Sequence, residues 1–203
     1  MNQNNSTFKK QFQILFPVFF VPFAISFLML LTFVFEWGMH LDFSRAGILP
    51  RNTERLWALV THVFVHASWG HLFNNVISFV LLSSCLVYFY RPQGLKLMTM
   101  LWILSATMLW VIGRPSYHIG ASGLIYALAS FLFLSGLIRK HIPLIAVSLI
   151  VTVLYGNMVW YIFPWQAHDP VSWEGHLSGM STGFILAVIY KNHGPQRPEK
   201  VWN

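Results

Sequence analysis

Gly120-Ala121-Ser122-Gly123 sets a hydroxyl between two glycines at the head of an apolar run. A serine at a helix start faces unpaired backbone N–H groups and the positive end of the helix dipole, and both favour negative charge. The flanking glycines let a second backbone or a substrate come close. A tetrahedral oxyanion can be held by such N–H groups. Taken alone, the tetrapeptide reads more readily as a serine N-cap beside a packing motif.

A second cluster is His66-Ala67-Ser68-Trp69-Gly70-His71-Leu72-Phe73-Asn74-Asn75. His71 and Asn75 are four apart, so on a helix they share a face and can point at one spot. A neutral imidazole and a side-chain amide can both donate hydrogen bonds to a developing oxyanion. A polar seam holding helices together is the other reading of the same residues.

The third cluster is Gly175-His176-Leu177-Ser178-Gly179, followed by Gly183. Gly179 and Gly183 form a small-xxx-small face for close helix contact, and Gly123 and Ala127 offer a matching one. If those faces meet, His176 comes level with Ser122 and can accept its hydroxyl proton. A core histidine bonded to a carbonyl is the alternative.

These groups need elements that bring them together, and the composition says what kind. Of 203 residues, 56% are hydrophobic and 9% charged, against about 25% charged in soluble domains. The apolar residues lie in long blocks, which places the chain in the membrane class. The net charge of +7 does not mark a nucleic-acid binder, because the basic residues sit in connectors and form no helical stripe. The single cysteine, Cys85, excludes an intrachain disulfide and reads as an apolar packing residue.

A helix crossing the hydrocarbon layer needs about 20 apolar residues. Six stretches qualify, near 14–35, 70–90, 95–112, 121–138, 142–162 and 175–190. Arg91-Pro92-Gln93-Gly94, Gly113-Arg114-Pro115 and Phe163-Pro164 punctuate them. The first stretch is too long for a signal peptide and reads as a retained span. In the connector 36–65, Leu56–Val65 is apolar enough to be interfacial or re-entrant. With the N-terminus inside, nine Lys and Arg fall on the cytoplasmic side and four outside, so both termini are expected in the cytoplasm. His66, His71, Ser122 and His176 then lie near the outer ends of their spans, at one depth. Intramembrane polar groups are functional by default, and here they converge.

Together these residues resemble the rhomboid family of intramembrane serine proteases. The match comprises His-x4-His-x3-Asn (His66, His71, Asn75), Gly-x-Ser-Gly with a tyrosine four residues on (Gly120, Ser122, Gly123, Tyr126), and His-x2-Gly-x3-Gly (His176, Gly179, Gly183). The resemblance covers about 14–190. It implies an all-α membrane fold, a six-helix bundle with a partly embedded first loop. It also implies a Ser122–His176 dyad without a third carboxylate. Ser122 N–H with His71 and Asn75 would form the oxyanion hole, and Tyr126 would stack on His176. Glu174, two residues before His176, reads as a loop charge. The chain departs from the family where Trp57 is followed by Ala58 instead of arginine, and where the second span ends Val87-Tyr88-Phe89-Tyr90-Arg91 without a glutamate. Those losses bear on loop packing.

The organisation expected is a cytoplasmic tail 1–13, a catalytic core 14–191 and a cytoplasmic tail 192–203, the minimal bacterial form in an inner membrane. Loops 113–120 and 163–174 are candidates for a cavity rim, with about Pro164–Ser172 as a lid. Trp160, Tyr161 and Trp165 suit the membrane interface. By the resemblance, substrates are single-span membrane proteins cut near small residues such as Ala or Ser. The expected partners are those substrates and the lipid bilayer, with no nucleic acid, no cofactor and a monomer sufficient to act. His62 stands four before His66, but no His-Glu-x2-His motif supports a metal there. His118 reads as shaping the loop before Gly120. A non-cutting relative, a transporter and a membrane metalloprotease are the competing readings. The retained serine and histidine count against the first, and the lack of midplane charge against the second.

Overall fold

The computed structural model describes residues 2–154 and 172–195, and every named element among them is helical. Helix α1 runs Asn2–Gly38, and a short α2 spans Ala58–Thr61. Then come α3 (Trp69–Phe89), α4 (Gly94–Ile112), α5 (Ser122–Arg139), α6 (Ile142–Leu154) and α7 (Trp173–Ile189). Four helices are long and apolar enough to cross a membrane: Phe16–Gly38, Trp69–Phe89, Gly94–Ile112 and Ser122–Arg139. The six-span expectation is therefore met by four. The described part of α6 is 13 residues long and α7 is 17. Expected positions 155–162 lie outside the described residues, as do Trp160, Tyr161, Trp165 and most of Pro164–Ser172.

Helix ends follow local chemistry more than hydropathy. Ser68 sits in an extended conformation and its hydroxyl accepts from His71 N–H at 3.2 Å, opening α3 one residue before the apolar block. Ser172 caps α7 by accepting from Gly175 N–H at 3.1 Å, which draws Trp173 and Glu174 into the helix. Glu174 is thus no loop charge. It is 3% exposed in the first turn of α7, and its carboxylate pairs with Arg114 Nε at 3.5 Å. At the other end of the chain, α1 continues back through polar residues to Asn2, because hydropathy marks a lipid crossing and not a helix end.

Helix α5 lies at the centre of the bundle. It packs most extensively on α7 and also touches α3, α4 and α6. Leu124, Leu128, Phe131 and Leu132 on α5 are sealed in the main core with Leu72, Phe79 and Leu82 of α3 and Leu97 and Leu101 of α4. Outward, α1 presents Phe19, Phe20, Phe23 and Phe27 more than half exposed. An uncharged aromatic face of that size suits lipid and not water.

The first loop is fastened to α4. Arg51 Nη1 donates to the carbonyls of Val111 (3.0 Å) and Gly113 (2.9 Å), taking up acceptors at the α4 C-terminus. Trp102 Nε1 donates to Leu59 O and Trp110 Nε1 to Asn52 O, each at 3.2 Å. Arg55 lies over the rings of Trp57 and Tyr117. Arginine is thus supplied to the loop from positions other than 58. The expected interfacial stretch Leu56–Val65 forms α2 and a 3₁₀ turn, His62–Phe64, with Ala58 and Val63 buried and Leu56, Trp57 and Val60 exposed.

At the far end of the bundle, Arg139 reaches from the last turn of α5 to the carbonyls beyond α7. It donates to Tyr190 O at 2.9 Å, Pro195 O at 3.4 Å and His193 O. Tyr90, where the sequence lacks a family glutamate, hydrogen-bonds Ser135 of α5.

Candidate active site

Gly120 has φ +97°, a conformation that favours glycine, and this turn delivers the chain into α5 with Ser122 as its first residue. Ala121 holds the N-cap position, so Ser122 is not the cap and its hydroxyl is left for other use. The turn is hooked in place by Gly120 N–H, which donates to His62 O at 2.8 Å.

His176 stands in the first turn of α7, 5% exposed, with Nε2 3.0 Å from Ser122 Oγ. Its imidazole stacks on Tyr126, ring centroids 4.2 Å apart and planes within 13°. Backbones in glycine contact make this geometry possible. A Cβ on Gly123 would lie 3.1 Å from Gly175 O, and one on Gly179 would be driven into Gly123 O. One turn further on, a Cβ on Gly183 would collide with Ala127 O and Ser130 Oγ. Side chains larger than hydrogen would push α7 away from α5 and part the serine from the histidine.

His71 and Asn75 face the Gly120 turn from α3. A Cβ on Gly120 would stand 2.8 Å from His71 Nε2 and 3.4 Å from Asn75 Nδ2, so both polar groups crowd the backbone next to Ser122. Asn75 is 5% exposed and its Nδ2 has no acceptor among the described residues. A buried N–H without an acceptor costs about 1–3 kcal/mol, a cost that a ligand oxygen at this spot would remove.

His66 lies behind His71, the two rings edge to face at 5.1 Å. It is 2% exposed with neither ring nitrogen hydrogen-bonded among the described residues, and burial, with His71 beside it, pushes its pKa down to about 3. Burial likewise pushes His62 down to about 4, opposed by the bond from its Nδ1 to Ala58 O at 3.0 Å. Among the described residues no three His, Cys, Asp or Glu converge as a metal site requires.

Ser122, His176, His71, Asn75 and Tyr126 open onto a cavity of about 510 Å³. Arg114, Ser116, Tyr117 and His118 of the 113–120 loop form another part of its wall, with Ser172. A smaller space of about 10 Å³ also touches Ser122, lined by Ser105, Leu109, Gly123 and Gly175. Only the large cavity has room for a polypeptide segment.

Sequence reasoning missed two residues at the site's edge. Ser172 caps α7 and also bonds His118 Nδ1 at 2.6 Å. Ile48 pairs with His118 through two backbone hydrogen bonds of 2.9 Å. A serine three residues before Gly175 was a readable cap signal. The Ile48 pairing had no local signal, since its partner lies 70 positions along the chain.

A family model described as the rhomboid domain matches residues 53–193. An uncharacterized protein of Mycobacterium tuberculosis is 33% identical over 159 residues, covering 75% of this chain and 65% of that protein. An uncharacterized protein of Mycobacterium leprae is 31% identical, covering 70% and 59%. Rhomboid-related protein 3 of Homo sapiens is 26% identical, covering 73% and 40%. The chain thus spans less than two thirds of the length of each of these relatives.

Proposed function

The chain belongs to the rhomboid family, and on that premise we propose that it is an intramembrane serine endopeptidase whose nucleophile is Ser122 and whose general base is His176. The observation that carries the reading is the 3.0 Å approach of Ser122 Oγ to His176 Nε2 beside a cavity of about 510 Å³.

In this mechanism His176 Nε2 takes the hydroxyl proton as Ser122 Oγ attacks the scissile carbonyl. The carbonyl oxygen becomes negative and is met by Ser122 N–H at the start of α5, with His71 and Asn75 donating from α3. His176 then gives its proton to the leaving amine, and the acyl-enzyme remains on Ser122. Water from the cavity, deprotonated by His176, releases the product and restores the hydroxyl. No carboxylate is assigned to the imidazole. Glu174, the nearest acid in α7, is engaged with Arg114. Stacking on Tyr126 orients the ring instead. His66, buried against His71, and the glycines Gly120, Gly123, Gly179 and Gly183 support the set by close packing.

The core is read as six spans within 14–191, with α6 and α7 completing the four long helices and tails 1–13 and 192–203 in the cytoplasm. At about 1.5 Å per residue a 17-residue helix rises roughly 25 Å, close to the hydrocarbon thickness. The site then opens outward in a bacterial inner membrane. Substrates are single-span proteins that unwind near small residues such as Ala or Ser, and the monomer acts without a cofactor.

The purified full chain in detergent, given a single-span substrate, tests this. Ser122→Ala and His176→Ala should each abolish cleavage, and EDTA should leave it unchanged. Cleavage that survives Ser122→Ala would defeat the dyad, and cleavage lost to EDTA would favour a metal.

A further inference from the structure

His118 is where three separate parts of the chain are joined. Its backbone pairs both ways with Ile48 of the first loop, N–H to O at 2.9 Å in each direction. Gly47 permits that approach, since a Cβ there would lie 2.7 Å from His118 O. The side chain, 3% exposed, turns toward α7 and meets Ser172 Oγ at 2.6 Å through Nδ1. Its other nitrogen, Nε2, is 3.1 Å from Arg114 O and 3.4 Å from Ser116 Oγ.

These partners fix the tautomer. Arg114 O only accepts, so Nε2 carries the proton and Nδ1 presents a lone pair. Ser172 Oγ already accepts from Gly175 N–H and has its own proton to give. The result is one directed chain: Gly175 N–H to Ser172 Oγ, Ser172 O–H to His118 Nδ1, and His118 Nε2–H to Arg114 O. Burial holds the His118 pKa below its ordinary value, with the Arg114 carbonyl and Glu174 opposing, so the ring stays neutral in this role.

We propose that His118 is a positioning residue for the reaction, locking the loop that delivers Ser122 to the head of the helix that delivers His176. The inference rests on the serine-protease reading. His118 lies four residues before Ser122, and Ser172 four before His176. Their bond therefore sets the offset between nucleophile and base, and a misplacement of about 1 Å at such a pair can cost about 100-fold in rate. The Arg114–Glu174 ion pair joins the same two segments but leaves Arg114 35% exposed, where screening weakens it. Arg114 N–H adds a bond of 3.4 Å to the same carboxylate, and the His118–Ser172 bond, at 2.6 Å, is shorter than either.

The test is the rate at which a fluorophosphonate probe labels Ser122 in the purified full chain, with the melting temperature read alongside. His118→Ala should slow labelling about 10- to 100-fold. His118→Asn sets an amide oxygen about where Nδ1 stood, and should recover labelling to within about threefold of the parent. For single-span substrate, the loss in His118→Ala should appear in kcat, with KM little changed. A His118→Ala/Ser172→Ala double variant should label no more than about threefold slower than His118→Ala. Labelling of His118→Ala at the parent rate overturns the proposal, and so does an Asn variant as slow as the Ala variant. If the parent chain itself is not labelled at Ser122, the protease reading fails first and this inference falls with it.

Discussion

Tyr126 and His176 are stacked, centroids 4.2 Å apart and planes within 13°, and Tyr126 sits one turn past Ser122 on the same helix. A single segment therefore supplies the hydroxyl and the surface against which the His176 ring is laid flat. Contact area with the tyrosine ring limits rotation of the imidazole. Replacing Tyr126 by phenylalanine keeps the ring and should hold kcat within about threefold, while alanine should lower it about tenfold or more, given the 0.5–1.5 kcal/mol typical of such ring pairs and the added freedom of the base. Steady-state cleavage of a single-span substrate by the two variants checks this.

Removal of an oxyanion donor should cost turnover more than affinity. His71→Ala and Asn75→Ala are each expected to lower kcat by about 100- to 1000-fold, with KM within a few-fold of the parent. Asn75→Ala should not destabilise the fold, since its Nδ2 has no acceptor among the described residues. A raised KM with kcat unchanged would remove Asn75 from the oxyanion set.

Helix spacing can be tested with one carbon atom. Gly179→Ala drives a methyl into Gly123 O, and Gly183→Ala drives one into Ala127 O. Each should cost about 1–3 kcal/mol as overpacking does, and Gly179→Ala should also abolish cleavage by parting α7 from α5. Gly70→Ala is the control, since nothing lies within 4 Å of a Cβ there. Thermal unfolding in detergent of the three variants should separate the first two from the third.

Acid should weaken the first loop's seat. His62 and His66 are held neutral by burial, at about 4 and about 3, while in the unfolded chain they titrate near 6.5. Below that value the unfolded form binds protons that the folded form does not. Stability is full above about pH 6.5 and declines as pH falls toward 4, by about 3 kcal/mol for His62 alone. His62→Asn keeps a donor toward Ala58 O without the titration, and should remove about half of the fall in melting temperature between pH 6.5 and 4.5, with His66 supplying the rest. A parent chain equally stable across that range would contradict the buried neutral state.

Much of the packing was legible because it is written in residue size. Gly179 and Gly183 against Gly123 and Ala127 is a contact that small side chains at four-residue spacing announce, and the structure has those backbones touching. The ends of the four long apolar helices came from hydropathy and lie within three residues of where it put them. What was illegible was anything set by long-range polar contact. Burial of Glu174 depends on Arg114, 60 positions away, and a charge one residue before an expected span carries no mark of that partner. Likewise, the sequence flags Trp57-Ala58 as a departure but cannot say that Arg51 would reach the α4 carbonyls instead.

The Arg139 contacts at the opposite end of the bundle bear on how a substrate enters. Helices α5 and α7 are joined by guanidinium-to-carbonyl bonds at one end, glycine-on-backbone contact along the middle, and the serine and histidine at the other. Held at three heights, the two would break several contacts together if they slid, tilted or splayed. On the protease reading, admission of a polypeptide is expected from yielding elsewhere in the bundle, and an inhibitor meant to jam such an enzyme would do better to brace the other helices than to pry at this pair.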